Sequence, residues 1–195
     1  MTMHSMGQVP ASDIMASWPE PAREAATIVL DTYGEPHEST PSALTWYDVG
    51  GWKRVVATKA YWDHTFPAPH TDSVETFIDY RVPADRYSDI AAFDGSVVIE
   101  RTTGEISARC HDEQANMLAL NLTHDLVTGA KDVQGARDYY AKEFLDARRK
   151  QPTPYMERLR LGFTPSAEAT DPDQRVLSDD QLAAAEAEGK GRAAP

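Results

Sequence analysis

The chain has 195 residues, a length that suits one domain with room for tails, and it carries 19 basic against 31 acidic residues for a net charge of −12. Such a surface is repelled by phosphate backbones and anionic lipid, so neither nucleic acid nor a membrane is an expected partner. The acid is not confined to the end of the chain: residues 164–195 carry a net −4 and residues 18–163 a net −7.

One cysteine, Cys110, excludes an intrachain disulfide and fits a reducing compartment. No basic stretch followed by an apolar run opens the chain, and no window approaches the roughly 18 apolar residues of a membrane span. The expected location is the cytoplasm.

Residues 1–17 are small and polar without periodicity and read as a flexible leader. Ser17 and Glu20 have capping-box spacing, Pro19 and Pro21 fit a first turn, and Ala22, Ala25, Ala26, Val29 and Leu30 form one apolar helical stripe. Gly34 and Pro36 end that helix. A short strand is then predicted over 43–48 and a longer one, with aromatic and β-branched residues on both faces, over 52–62, with 49–51 as the turn.

Residues 73–82 give the clearest strand, Val74, Thr76, Ile78, Tyr80 and Val82 alternating with polar neighbours. Pro83 opens a short helix that turns Tyr87, Ile90, Ala91 and Phe93 inward. A hairpin over 96–101 and 105–110 turns at Thr102-Thr103-Gly104. Asp112 caps a helix to Thr128 that Gly129 ends, and Asp132 caps another to Lys150. A short helical turn falls at 155–161. Beyond it, Ser178 and Gln181 can cap one solvated helix in a tail that otherwise lacks the apolar content to pack.

The expected fold is α+β: an antiparallel sheet of about five strands with four helices packed mainly on one side. The expected division is a leader over 1–17, one domain over 18–163, and a disordered acidic, Ala-rich tail over 164–195.

The densest concentration of chemistry is His64-Thr65-Phe66-Pro67-Ala68-Pro69-His70-Thr71-Asp72. Two imidazoles and a carboxylate lie around two prolines that stiffen the backbone and reduce the entropy lost when ligands converge. His64, His70 and Asp72 could therefore hold a divalent metal, with His111 approaching if the sheet brings it near. Without a metal, His70 would be the base and Asp72 its orienting carboxylate, with His64 beside them. The alternative is a Pro-rich surface loop whose histidines bond locally.

Other clusters have plainer explanations. Cys110-His111-Asp112-Glu113 invites a thiolate reading near a helix N-terminus. Yet Ile106, Ala108 and Cys110 alternate as a buried strand face, and Asp112 is accounted for as a cap. Asn121, His124 and Thr128 share a helix face that could line a polar pocket. Trp46, Trp52, Trp62 and Phe66, with Tyr47 and Tyr61, form either a contact surface or the core. No phosphate-binding glycine loop, G-x-S-x-G elbow or H-E-x-x-H is present.

Two functions remain. The first is a small binding or interaction module, with a protein partner or a second copy contacting the aromatic strands and the 64–72 loop. The second is a small metal-binding or acid/base enzyme built on His64, His70 and Asp72. Whether the two histidines point to the same place discriminates between them.

Overall fold

The alternating strands pair as one antiparallel sheet in the computed structural model, which describes residues 9–161 and 166–191. The expected boundary at residue 163, and residues 1–8 of the expected leader, lie outside the described residues. The first half of the chain comprises α1 (Ala11–Met15), α2 (Glu20–Tyr33), β1 (Glu38–Thr40), β2 (Ala43–Val49), β3 (Trp52–His64) and β4 (His70–Asp79). A 3-10 turn at Ala84–Arg86 leads into α3 (Tyr87–Phe93), and β5 (Val97–Glu100) and β6 (Glu105–Cys110) follow. Ala91 of α3, expected to face inward, lies on the exposed side. The second half holds α4 (Glu113–Thr128), α5 (Val133–Arg148), α6 (Pro154–Glu157), α7 (Ser166–Ala169) and α8 (Asp179–Lys190).

The α+β class is as expected. The strand order is β1-β2-β3-β4-β6-β5, and the sixth strand is the short edge Glu38–Thr40, which sequence periodicity does not announce.

One face of the sheet builds the core. Val55, Ala57, Val74, Ile78, Ile106 and Ala108 all point into it and are buried. Helices α2 and α4 pack on that face, and α5 and α6 pack in turn against α4. Asp112 and Asp132 cap α4 and α5 by accepting from Ala115 and Gly135 N–H, and Gly129 ends α4 in the left-handed region. The Ser17–Glu20 box does not form. Pro19 is the N-cap of α2, and the Ser17 hydroxyl donates instead to the Ile14 carbonyl. The Ala16 N–H closes α1 on the Ser12 carbonyl, and Ala11 and Met15 of that helix are buried in the core, so this part of the expected leader is packed structure.

The opposite face of the sheet carries interleaved ions. The Arg54 guanidinium forms a two-pronged pair with Glu105 and stacks on Phe77 at 3.7 Å. The β5–β6 turn also receives the tail. Gly104 adopts φ +70°, and a Cβ there would overlap the Ala169 backbone, so α7 seats directly on the turn. Arg101 pairs with Asp171 and Asp173 beyond it. The segment just past α7 is therefore tethered, whereas α8, closed by its Ser178–Gln181 capping box, has no buried residue.

The polar stripe on α4 is structural rather than the lining of a pocket. Asn121 Nδ2 donates to the carbonyls of Tyr155 and Arg158 at 2.9 and 2.8 Å, and its Oδ1 accepts from Arg160 N–H at 2.7 Å. His124 Nδ1 bonds the Tyr80 hydroxyl at 2.7 Å, which ties α4 to the end of β4. Asn121→Ala should therefore cost about 1–3 kcal/mol, since it removes three hydrogen bonds that hold the 155–160 segment to α4. Urea unfolding would register this as a lowered midpoint, and a midpoint equal to wild type would refute the clamp.

Candidate metal centre

The two histidines are strand residues, not loop residues. β3 continues to His64 and β4 begins at His70, and the two form a directly opposed cross-strand pair across the Thr65–Pro69 turn. An irregularity sets this register. Ala57 pairs with Val74, but the next pair is Trp62 with Asp72, so residues 58–61 of β3 face only Ser73 of β4. The Thr58 hydroxyl holds this bulge by donating to the Ala60 carbonyl at 2.8 Å and the Ser73 carbonyl at 3.2 Å. A regular continuation would place Tyr61 opposite His70; the bulge places His64 there.

The turn is pinned from the helical side. The Phe66 ring packs on Tyr140 of α5 at 5.0 Å and edge-on to Phe93 of α3 at 6.2 Å. The Arg137 guanidinium covers Phe66 at 3.9 Å while donating to the Phe93 carbonyl. Phe66 thus anchors the hairpin rather than offering a contact surface.

Inside this frame the His64 and His70 ring centroids are 4.8 Å apart. Asp72, 2 % exposed, lies between them: Oδ1 is 3.0 Å from His70 Nε2 and Oδ2 is 3.3 Å from His64 Nδ1. One donor atom each from His64, His70 and Asp72 all lie within 4.8 Å of one another. Two groups that sequence reasoning passed over complete the surroundings. The Ser96 hydroxyl donates to Asp72 Oδ2 and lies 3.2 Å from His64 Nδ1. Asp94 accepts from Ser96 N–H at 2.8 Å and stands 3.8 Å from His64 Nε2. Asp94-Gly95-Ser96 reads as an ordinary Asx turn, and only the tertiary fold brings it against the hairpin.

The tautomer of His70 follows from its partners. Nδ1 lies 2.8 Å from the Ala68 carbonyl, which only accepts, so Nδ1 carries a proton. Nε2 then faces Asp72 Oδ1 at 3.0 Å, yet neither atom has an aligned hydrogen-bond partner. Two buried acceptors at that separation call for a cation. In the metal-free protein a proton fills this role: the Asp72 carboxylate, then the Cys110 thiol, push His70 from 6.5 to about 11 against the opposing effect of burial. Burial pushes the Asp94 carboxyl up, with Ser96 N–H and His64 opposing. Burial likewise pushes the Cys110 thiol up, with His70 opposing.

A cleft of about 220 Å³ opens beside the cluster, lined by His70, Cys110, His111, Tyr140, Phe144 and Arg148 among others. His111 borders this cleft but is not among the converging donors.

The tryptophans assigned to a contact surface divide. Trp46 and Trp52 are 0 % and 1 % exposed. Their indole N–H groups are satisfied inside, by the Gly34 carbonyl and the Glu113 carboxylate respectively, so both are core. Trp62 is 47 % exposed and lies under the Arg109 guanidinium at 4.3 Å.

A scan against protein-family models, a search of curated proteins and a search of solved structures each return no match. No helix among the described residues is long and apolar enough to cross a membrane.

The His70 shift carries a sign that can be measured. A group whose pKa rises from 6.5 unfolded to about 11 folded stabilises the fold fully below pH 6.5, and that contribution is lost as pH climbs towards 11. The titratable groups around it are Asp72 at 3.0 Å and the His64 ring at 4.8 Å, with Asp94 beyond His64 and Cys110 on the same cleft wall. In metal-free protein, the stability gap between wild type and His70→Gln should narrow steadily from pH 6.5 to pH 10. A gap that stays constant across that range would contradict the assignment.

Proposed function

We propose that the protein binds one divalent transition-metal ion between His64, His70 and Asp72. The observation that supports this reading is the pair of unaligned acceptors, His70 Nε2 and Asp72 Oδ1, facing each other in a buried site. The Nδ1–H bond from His70 to the Ala68 carbonyl is the outer-shell arrangement that orients an imidazole for a metal, and the Ser96 hydroxyl does the same for the Asp72 carboxylate. Two imidazoles favour a first-row ion such as Zn²⁺ over Mg²⁺ or Ca²⁺.

Bonds of about 2.0–2.2 Å hold donors about 3–4 Å apart, so closing the cluster from 4.8 Å asks about an ångström of the side chains. Three protein ligands leave a coordination position for water, a substrate or another protein group. The ion would displace the His70 proton, so binding should release protons and tighten as pH rises.

Calorimetric titration of metal-free full-length protein with Zn²⁺ should give one site per chain. The heat should vary with the ionisation enthalpy of the buffer, and binding should be lost in both His64→Ala and His70→Ala. Equal binding by wild type and both variants, or no binding by wild type, would refute the reading.

The exposure of Tyr47, Tyr61 and Trp62 supports a second reading, contact with a partner protein or a second copy. A concentration-dependent mass by sedimentation that Trp62→Ala abolishes would support self-association, and a monomeric mass at all concentrations would remove it.

A further inference from the structure

The cleft beside the cluster holds groups that neither the core nor the metal reading uses. It lies between the first turn of α4, where Gln114 and Ala115 line it, and the C-terminal half of α5. Tyr140, Phe144 and Arg148 line the α5 side, and their spacing of four residues puts them on one face of that helix. A hydroxyl, an apolar ring and a guanidinium are thus set in a row along one wall. Met156 of α6, itself buried, adds apolar surface.

Two of these groups lack the partner that their chemistry asks for. Tyr140 is 3 % exposed, and its ring packs on Phe66 and Phe93. Its hydroxyl makes no hydrogen bond to any described residue, although buried tyrosine hydroxyls ordinarily find one. Burial pushes that hydroxyl well above the usual tyrosine range, so it keeps its proton and can donate. Arg148 covers the Phe144 ring at 3.5 Å and donates one N–H to the Phe144 carbonyl at 3.0 Å. It has no carboxylate partner among the described residues, in a chain where 31 acids face 19 bases. Its remaining N–H groups suit a carboxylate. Asp112 also lines the cleft, but its carboxylate is engaged as the cap of α4, accepting from Ala115 N–H at 2.9 Å.

We propose that the cleft binds a small, elongated carboxylate with an apolar body. Its carboxylate would pair with Arg148, its body would lie against Phe144 and Met156, and an oxygen at its other end would accept from the Tyr140 hydroxyl. A volume of about 220 Å³ falls below the range that takes drug-sized molecules, so the ligand is small. Two helical turns separate Tyr140 from Arg148, an axial rise of about 12 Å, which asks for a ligand with two polar ends rather than a compact anion such as phosphate. The site is independent of the metal reading: neither Tyr140 nor Arg148 is among the converging donors, and His70 only borders the cleft.

Heteronuclear NMR titration of metal-free full-length protein with para-hydroxybenzoate tests this. Saturable shifts are expected at the backbone amides of Gln114, Ala115, Phe144 and Ala147, and none at Phe77 and Glu105 on the far face of the sheet. Arg148→Gln, a change at an exposed position, should weaken binding about tenfold or more. The neutral para-hydroxybenzyl alcohol should bind wild type and Arg148→Gln equally. Tyr140→Phe should weaken para-hydroxybenzoate about fivefold and leave benzoate, which lacks the second oxygen, unchanged. Because the Tyr140 hydroxyl has no protein partner, Tyr140→Phe should unfold in urea at or above the wild-type midpoint, which a structural role for the hydroxyl would not give. No saturable shift at the cleft amides, or equal affinity of wild type and Arg148→Gln for para-hydroxybenzoate, would overturn the site. Equal losses for benzoate and para-hydroxybenzoate in Tyr140→Phe would overturn the role of its hydroxyl. None of these outcomes bears on the Zn²⁺ titration, which contains no carboxylate probe.

Discussion

Everything at the centre depends on which residue of β3 stands opposite His70. Side chains alternate along a strand, so a register change decides which of them meet. The bulge over 58–61 makes that change, and the Thr58 hydroxyl holds it through two carbonyls. It brings His64 rather than Tyr61 across from His70. Asp72 then lies one pleat further along β4, between the two rings. The remaining contacts hold this arrangement in place. Phe66 is gripped by Phe93, Tyr140 and Arg137, and the turn after α3 presents Ser96 and Asp94 to the cluster.

The electrostatic consequence is a buried group of imidazoles and carboxylates in which Asp72 holds the proton on His70. Burying carboxylates is costly unless they are paired. Asp72 meets that demand with Ser96 on one oxygen and His70 on the other. The second contact is close but out of line, which suits a shared cation better than a hydrogen bond. On the proposed reading a metal ion would take the place of the proton on His70, so that pH and metal supply would govern the same equilibrium. The charge on the far face of the sheet serves a different end: Arg54, paired with Glu105, covers Phe77 and keeps that surface polar.

Much of the fold was legible in the sequence because local signals and tertiary packing agree. Gly129, Asp112 and Asp132 end or cap helices where their chemistry predicts, and the period-two alternation over 73–82 marks a buried strand face. The departures have specific causes. The Ser17–Glu20 spacing is compatible with a capping box, but Pro19 takes the cap and the Ser17 hydroxyl turns back to the Ile14 carbonyl. Two prolines between the histidines read as a loop, although His64 and His70 are the last and first paired residues of their strands. Bulges leave no periodic signature, so the convergence of His64 and His70 could be posed as a question but not answered. Asp94 and Ser96 were out of reach because they join the centre from a separate turn. Trp46 and Trp52 read as core or surface from sequence, and their burial, with indole N–H groups bonded to Gly34 and Glu113, places them in the core.

The central claim is that one ion sits where the His64–His70 pair meets Asp72. Anomalous diffraction at the zinc absorption edge, from crystals of the full chain grown with stoichiometric Zn²⁺, tests it most directly. The account predicts a single anomalous peak within bonding distance of His64, His70 and Asp72. A peak elsewhere on the surface, or density showing the His70–Asp72 pair undisturbed with no ion between them, would contradict it.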